Sequence, residues 1–302
     1  MIKNYKRYNS ENKSLLFGFI GILIFSITPP ATKMALGFNN NALSPEFITF
    51  GRSALAGVLS LMYLIFFKKK IPNMKFIFNI SIVAFSLTVG FPLFLSLGLI
   101  NSTSTHAAVI LTLMPLMTAI FASFYFKQKA SVGFWICAII GCIVVVIYTL
   151  IQGQVHAGVI KLSFFDILFF ISVISGATGY VFGAKLTKHM GSVDVISWAL
   201  VLALPFHFGL AIYYFPIKEI SSIAWIGFLY TALFSQWIGF FAWYKALDLG
   251  GTVRVSQIQL LMPFLTFIFS VILLGETLDF LTLFFSIIII FLIYLSRKMI
   301  IK

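Results

Sequence analysis

The chain has 302 residues, of which 61% are hydrophobic and 10% are charged, and its formal net charge is +13. Soluble domains carry about 25% charged residues, so this composition excludes a water-soluble globular protein and requires lipid around the apolar surface. The basic residues lie in short clusters between apolar runs, a pattern that indicates membrane topology rather than nucleic-acid binding.

Ten apolar runs follow one another along the chain, joined by short connections. Each is close to the 20 or so residues that a helix needs to cross a bilayer core about 30 Å thick. Their residues are 15–36, 46–67, 77–99, 104–126, 132–152, 165–187, 193–214, 222–246, 254–274 and 278–296. No run alternates as a membrane β-strand does. The sequence therefore predicts an all-α integral membrane protein with ten transmembrane helices.

The first run is interpreted as a retained helix rather than a signal peptide. Pro29, Pro30 and Lys33 follow it, where a small-residue cleavage site would stand in a secreted protein.

The positions of Lys and Arg predict the orientation. With a cytoplasmic N-terminus and ten spans, 17 of the 21 basic residues lie inside and four lie outside. The outer four are Lys33, Arg52, Lys161 and Lys218. Inner loops carry the excess of positive charge in membrane proteins, so both termini are expected in the cytoplasm.

A short internal repeat divides the chain into two halves. Leu113-Met114-Pro115 in the fourth span recurs as Leu261-Met262-Pro263 in the ninth, in the same order of features. We predict two five-helix repeats, residues 1–152 and 153–302. Because five is odd, the repeats cross the membrane in opposite senses. Inverted repeats are typical of secondary transporters, which bind substrate near the midplane between the halves.

Several motifs stand out by their order and spacing. They are Pro30 to Leu36 at the end of the first span, Phe50 to Ala56 in the second, Trp243 to Leu247 followed by Gly250-Gly251, and Leu261-Met262-Pro263 with Leu273 to Leu278 in the ninth. Together these motifs resemble those of the EamA-like transporters of the drug/metabolite transporter superfamily. The resemblance covers about residues 15–296. It implies a ten-helix inverted-repeat carrier of small metabolites, often amino acids and frequently in the export direction.

Prolines near the middle of two predicted spans are candidates for hinges. Pro115 and Pro263 each remove a backbone hydrogen bond and bend or interrupt a helix. In lipid, the freed backbone groups are tolerated beside protein or a water-filled cavity. We interpret both as gating or hinge positions, with a simple packing kink as the alternative.

Lys33 and Arg52 are the basic residues near the predicted outer ends of helices. Lys33 is a candidate for substrate binding and Arg52 for gating, since either could hold a substrate carboxylate or close an outer gate. The alternative for both is that the head group extends to the interface along its alkyl stem.

Polar and aromatic side chains in the sixth, eighth and ninth spans complete the candidate substrate-binding set. Gln236 and Gln259 are included because an amide buried in lipid needs a hydrogen-bond partner. Tyr180 lies deep in its span and is suited to stack on a substrate. Trp243 and Tyr244 are included as well, although aromatic residues near helix ends also form interface belts.

Titratable groups are scarce at membrane depth. None of the eight Asp and Glu residues falls in the middle of a predicted span. Proton-coupled carriers often use an intramembrane carboxylate, so this pattern favours facilitated diffusion, exchange or coupling through another group. His207 lies well inside a span and is a candidate proton relay, with a hydrogen-bonded or cavity-facing structural role as the alternative.

No phosphate loop, metal-ligand cluster or nucleophile–base set is visible, so we predict no cofactor, no metal and no enzymatic activity. The expected function is secondary transport of a small organic metabolite across the inner membrane, most simply amino-acid export by alternating access. The alternatives are import or exchange of a host-derived metabolite, nucleoside-like or S-adenosylmethionine-like, and a non-transport membrane enzyme or subunit. The expected partners are the small-molecule substrate and the lipid bilayer, without nucleic acid.

Overall fold

The computed structural model describes residues 2–37, 42–125, 131–157, 163–250, 255–277 and 279–298. Every regular element in these ranges is helical. The α-helices are α1 (Ile2–Ser26), α2 (Thr28–Leu36), α3 (Pro45–Phe66), α4 (Ile77–Phe85), α5 (Phe91–Leu99), α6 (Ser104–Leu111), α7 (Met114–Tyr125), α8 (Val132–Ala157), α9 (Phe164–Met190), α10 (Ser192–Tyr213), α11 (Ser222–Tyr230), α12 (Gly239–Gly250), α13 (Met262–Leu274) and α14 (Phe280–Lys298).

Seven helical segments of these ranges are long and apolar enough to cross a membrane. They are Asn12–Leu36, Pro45–Phe66, Met74–Leu99, Ser104–Tyr125, Phe164–Met190, Ser192–Tyr213 and Ser222–Gly250. The remaining predicted spans are occupied by α8 and by the shorter apolar helices α13 and α14. Length and composition thus support seven crossings, and the total of ten stays a prediction.

Local signals in the sequence place the helix ends. Ser163 and Asp166 form a reciprocal capping box at the start of α9, which satisfies two backbone N–H groups that the first turn leaves without partners. Gly275 ends α13 in the left-handed conformation, with φ of 65°, which glycine adopts without steric cost. These caps keep the connections between apolar helices short.

Five predicted spans are interrupted rather than continuous α-helices. The first breaks at Ile27, and the fourth breaks at residues 112–113. The third and eighth contain π-helical segments, Ser86–Gly90 and Thr231–Ile238, and the ninth begins with the 3-10 segment Ser256–Leu261. The interruptions coincide in two pairs of corresponding spans, the third with the eighth and the fourth with the ninth, and the 148-residue offset of the repeated motif carries one π segment onto the other. The break at Ile27 has no counterpart in the sixth span, which is the continuous helix α9.

The two repeated prolines begin helices instead of kinking them. Pro115 is the second residue of α7, and Pro263 is the second residue of α13. Each proline still lies near the middle of its predicted span, directly after the interruption of that span, and the hinge role stays a prediction. In the first turn a helix does not use the N–H that proline lacks, so proline is well accommodated there.

Helix packing shows a paired pattern. Helix α1 packs on α12, and α9 packs on α4 and α5, so the first span meets the eighth as the sixth meets the third. The second span packs on the seventh through α3 and α10, and the fifth packs on the tenth through α8 and α14. Exchanging the two halves turns the contact of the first span with the eighth into that of the sixth with the third. It leaves the second–seventh and fifth–tenth contacts unchanged. An arrangement of two equivalent repeats requires such a pattern.

One end of the bundle, which we call the basic end, joins the halves through lysines. Just after α3, the Nζ atom of Lys69 donates to Oδ2 of Asp194 at the start of α10, at 3.0 Å. The Nζ atom of Lys185, near the end of α9, donates to the hydroxyl of Tyr125 at the end of α7, also at 3.0 Å. Helix α3 therefore ends where α10 begins.

The opposite end joins the halves through carboxylates. Glu276, which follows α13, accepts hydrogen bonds from the backbone N–H groups of Ser104 and Thr105 at 2.8 and 2.9 Å. His106 Nε2 lies 2.7 Å from Oδ1 of Asp166. Helix α6 thus begins where α13 ends. The fourth and ninth spans run in opposite directions, as do the second and seventh, in keeping with inverted repeats.

Candidate functional site

A cavity lies in the middle of the bundle where the two halves meet. Six of its lining residues belong to the first half and five to the second. They are Phe25, Thr28, Arg52, Phe91, Leu111 and Met114, then Tyr180, Ser235, Gln236, Phe240 and Met262. A substrate in this cavity would therefore contact both halves at once.

Much of the cavity wall is aromatic. The ring centroids of Phe25 and Phe240 lie 5.1 Å apart, and those of Tyr180 and Phe240 lie 6.2 Å apart. Met114 and Met262 add polarisable, adaptable side chains to the same wall. This wall suits the apolar or planar part of a small molecule.

A smaller polar patch faces the aromatic wall. The hydroxyls of Thr28 and Ser235 hydrogen-bond to each other at 2.7 Å, across the contact between the first and eighth spans. Each hydroxyl has one donor and two acceptor sites, so the pair retains capacity for a ligand. The Tyr180 hydroxyl has no hydrogen-bond partner within the described ranges, although its ring lines the cavity.

Proline chemistry explains how Gln236 is positioned. In the π segment of the third span, the N–H of Phe91 bonds to the carbonyl of Ser86. In that register residue 92 would donate to the carbonyl of Leu87, but Pro92 has no N–H. The Nε2 atom of Gln236 donates to this carbonyl at 3.0 Å. The Gln236 Oε1 atom is therefore the amide atom left to accept from a ligand.

A second freed carbonyl is satisfied in the same way near the break in the first span. Pro30 cannot donate to the carbonyl of Ser26, one turn earlier. The hydroxyl of Thr266 donates to that carbonyl instead, at 3.0 Å. Side chains from the second half thus stabilise interrupted backbone in the first half, beside the cavity.

Among the described residues of the cavity wall, Arg52 is the one that carries a charge. Its side chain is 2% exposed, and neither Nε nor Nη1 has a hydrogen-bond partner in the part of the chain that the structure describes. Within the same ranges it forms no ion pair. A buried, uncompensated guanidinium costs several kcal/mol. The alternative in which Arg52 extends to the outer interface does not hold, because α3 packs along α10 and Arg52 is buried in the protein; its gating role stays a prediction.

The structure places the other basic candidate outside the cavity. The Nζ atom of Lys33 donates to three backbone carbonyls at the end of α5 and beyond it: Leu99 at 2.6 Å, Ile100 at 3.3 Å and Ser102 at 2.8 Å. This cation at a helix C-terminus satisfies carbonyls that have no partner inside the helix. The bonds give Lys33 a capping role at the opposite end of the bundle.

Trp243 and Tyr244 are fully buried and do not lie at a lipid interface. Trp243 packs against Phe25 and Tyr180, with ring centroids 6.4 and 5.6 Å away. The Tyr244 hydroxyl donates to the carbonyl of Gly179 at 3.1 Å. Both therefore form a layer behind the cavity wall, because α12 packs along α1 rather than against lipid.

Gln259 lies in the 3-10 segment before α13 and is 2% exposed. Its side-chain amide has no partner in the described ranges. It is not among the lining residues of the central cavity. A smaller cavity is lined by Ala108, Leu111, Met262, Pro263 and Thr266, and it shares Leu111 and Met262 with the central one. Pro263 thus borders a cavity, whereas Pro115 is buried away from both.

His207 is fully buried next to the cavity wall rather than in it. Its Nε2 atom lies 2.6 Å from the hydroxyl of Thr88, which itself donates to the carbonyl of Ala84 at 2.6 Å. Ser53 donates to the carbonyl of Thr88 at 3.0 Å, which links this group to the helix turn of Arg52. Since the Thr88 proton is engaged with Ala84, Nε2 of His207 is the donor and Nδ1 carries no proton when the ring is neutral.

Several lining residues were not among the sequence candidates. Thr28, Ser235 and Phe240 lie in runs that read only as apolar or small. Met114 and Met262 are different, because they are the central residues of the repeated Leu-Met-Pro motif and both reach the cavity. The repeat itself was the available signal for them. No group of three metal-ligating side chains lies together in the described ranges.

The EamA-like transporter family matches this chain twice, over residues 12–150 and 163–297. The chain belongs to the EamA-like transporter family. The two matches fall on the two halves that border the cavity. This EamA-like protein is accordingly a multi-pass membrane transporter, and the predicted membership of the drug/metabolite transporter superfamily is confirmed.

Similar proteins carry the same general description. The EamA-like chain is 37% identical over 270 residues to the uncharacterized transporter YdeK of Bacillus subtilis, covering 89% of this chain and 91% of the relative. It is 25% identical to an uncharacterized transporter of Archaeoglobus fulgidus, with 81% and 85% of the two chains covered. These names support transport across a membrane without specifying a solute.

A solved crystal structure shares the fold. It superposes with a TM-score of 0.66 and 14% sequence identity, covering 95% of this chain and 96% of the other. At that identity the likeness concerns the fold alone. The family matches and this likeness of fold agree with the all-helical architecture around the cavity.

Proposed function

We propose that this protein is a secondary transporter that carries a small organic metabolite across the inner membrane by alternating access, with amino-acid export as the leading activity. The observation that carries the proposal is the cavity between the two halves. Its walls come about equally from both halves and include both π segments or their neighbours. Substrate sites of inverted-repeat carriers lie at such interfaces, beside interrupted helices.

The contacts at the two ends supply the parts of an alternating gate. Lys69 and Asp194 join the halves at the basic end, and Glu276 joins them to Ser104 and Thr105 at the opposite end. We propose that each set opens in turn while the other holds. Five helices per half, residues 1–152 and 153–302, would then rock about the cavity as two bodies.

The proposed orientation places the basic end and both termini in the cytoplasm, following the bias of Lys and Arg toward one side. A topology reporter inserted at residue 72, close to Lys69, tests this directly. A reporter there that is accessible from the periplasm would reverse the orientation and, with it, the meaning of export.

Counterflow into proteoliposomes tests the transport proposal. The purified protein is reconstituted with an unlabelled solute inside, and uptake of the same labelled solute is measured for a panel of amino acids and nucleosides. We expect accumulation of at least one amino acid. Empty liposomes and protein-free detergent extracts serve as controls, and no uptake of any solute class by folded protein would refute transport of small metabolites.

The aromatic wall favours one runner-up. Phe25, Phe91 and Phe240 could stack on a planar base, so import or exchange of a nucleoside-like or S-adenosylmethionine-like metabolite is the second candidate. The same counterflow panel separates the two: nucleoside uptake without amino-acid uptake would select it. A non-transport enzyme or subunit is the remaining alternative and predicts no counterflow at all.

A further inference from the structure

We propose that Arg52 binds a carboxylate of the transported solute, so that this carrier selects monocarboxylates with an apolar body and works as an exchanger. The inference rests on the proposed transport function and names the chemical class of its substrate. It starts from a charge without a counter-charge: Arg52 is 2% exposed, lines the cavity, and pairs with no described residue.

The chemistry of the group defines the ligand. A guanidinium presents several N–H donors in a planar fork and has no acceptor. It matches the two oxygens of a carboxylate, which it binds through paired hydrogen bonds. A cationic or purely neutral solute would leave the buried charge of Arg52 uncompensated in the closed cavity.

The other walls define the body of the solute. Phe25, Phe91 and Phe240 with two methionines form an apolar surface suited to an aliphatic or aromatic side chain. The hydroxyls of Thr28 and Ser235 and the free Oε1 of Gln236 can accept hydrogen bonds from a solute ammonium group. No carboxylate stands among the described residues that line this cavity. An apolar amino acid such as leucine or phenylalanine has a chemical group that matches each part of this lining.

The same charge disfavours return of the empty carrier. When both ends close around an empty cavity, Arg52 is sealed away from bulk water without a partner. When both ends close around a bound carboxylate, the charges compensate each other. Closing is therefore easier with solute than without it, and exchange of solute for solute should outrun net efflux.

The first experiment compares solutes on the unmodified protein in proteoliposomes. Phenylalanine is tested as competitor of labelled phenylalanine beside its amide, its methyl ester and phenethylamine, which keep the body and lose the carboxylate. We expect the three derivatives to compete at least about 30-fold less well, as befits loss of one partner of a buried charge pair. Equal competition by the amide or the ester would overturn the proposal while leaving transport itself established.

Variants make the second experiment. Arg52→Gln removes the charge, Arg52→Lys keeps it without the fork, and Lys218→Gln removes an exposed charge far from the cavity as the matched control. We expect the Michaelis constant for phenylalanine to rise at least about 30-fold in Arg52→Gln, less in Arg52→Lys, and not in the control. An unchanged constant in Arg52→Gln would overturn the assignment. If that variant does not fold, Arg52→Lys and the solute series decide the matter.

The third experiment tests exchange. Efflux of preloaded phenylalanine is followed with and without external phenylalanine, in chloride and in sulfate buffer. We expect external solute to accelerate efflux more than about tenfold in both buffers. Equal net efflux and exchange would refute the coupling. If net efflux without external phenylalanine were as fast in chloride buffer as exchange, and slow in sulfate buffer, chloride rather than the solute would neutralise Arg52. That result also overturns the proposal. Failure of every solute to move refutes the transport function instead.

Discussion

The contact between α11 and α2 has no room for a single methyl group at Gly227. A Cβ atom there would overlap the carbonyl oxygen of Ala31 and approach the backbone nitrogen of Ala35 at 2.8 Å and Cβ of Met34 at 2.9 Å. Two of these atoms are backbone, which cannot move aside as the tip of a side chain can. Helices that associate in lipid use small residues for such close approach.

We therefore expect Gly227→Ala to destabilise the fold. Overpacking costs about 1–3 kcal/mol, while replacing glycine by alanine in a helix gains up to about 1 kcal/mol. The upper part of the overpacking range applies because the new methyl group would contact backbone atoms. The net loss in free energy of unfolding should therefore be about 1–2 kcal/mol. Because α2 carries Thr28 and Lys33, the displaced helix should also widen the cavity wall and lower transport.

The measurement is thermal unfolding of the detergent-solubilised protein, followed by intrinsic fluorescence and by loss of monodisperse protein. Gly209→Ala is the matched control, since a methyl group there meets nothing within 4 Å and the residue lies inside α10, about one turn before its end at Tyr213. We expect Tm to fall for Gly227→Ala and to stay level or rise for Gly209→Ala. A Gly227→Ala protein as stable as the control would refute the close-approach argument.

Three further perturbations test other contacts. Gln236→Leu leaves the carbonyl of Leu87 buried without a partner, which should cost about 1–3 kcal/mol and lower Tm. Glu276→Ala removes the cap of α6, which should cost about 1 kcal/mol and lower Tm beside an unaffected Glu219→Ala control. The hydrogen bond to Asp194 raises the pKa of Lys69 above its ordinary value. The stability that Lys69 contributes is thus complete below the ordinary lysine pKa and is lost only at more alkaline pH, so the difference in Tm between wild type and Asp194→Asn should be small and constant from pH 6 to 8.

Each of these results has a clear contrary outcome. A Gln236→Leu protein with unchanged Tm would mean that the Leu87 carbonyl has another partner. A Glu219→Ala loss equal to that of Glu276→Ala would mean that the effect is not due to capping. An Asp194→Asn effect that grows between pH 6 and 8 would assign the titration to a group other than Lys69.

Some of the site was predictable because chemistry at membrane depth is restrictive. Gln236 and Tyr180 both line the cavity, since a polar side chain inside an apolar span must find protein or a cavity, and their role in substrate binding stays a prediction. Trp243 and Tyr244 lie behind the wall instead, because position along a span does not say which side of the helix faces protein. Lys33 and Arg52 are both cations near the predicted outer ends of their spans. Lys33 nevertheless caps a helix, whereas Arg52 lies in the cavity wall.

The sequence by itself determined that this chain is a helical membrane protein, where its apolar runs lie, and that two similar halves follow one another. These features depend on hydrophobicity, charge bias and a repeated motif, which are properties of the chain read along its length. Which side of each helix meets another helix was decided only in three dimensions. Rotation about a helix axis is set by packing between spans far apart in sequence, such as α3 on α10 and α1 on α12. That packing sealed Arg52 beside an interrupted backbone and gave the cavity its charge.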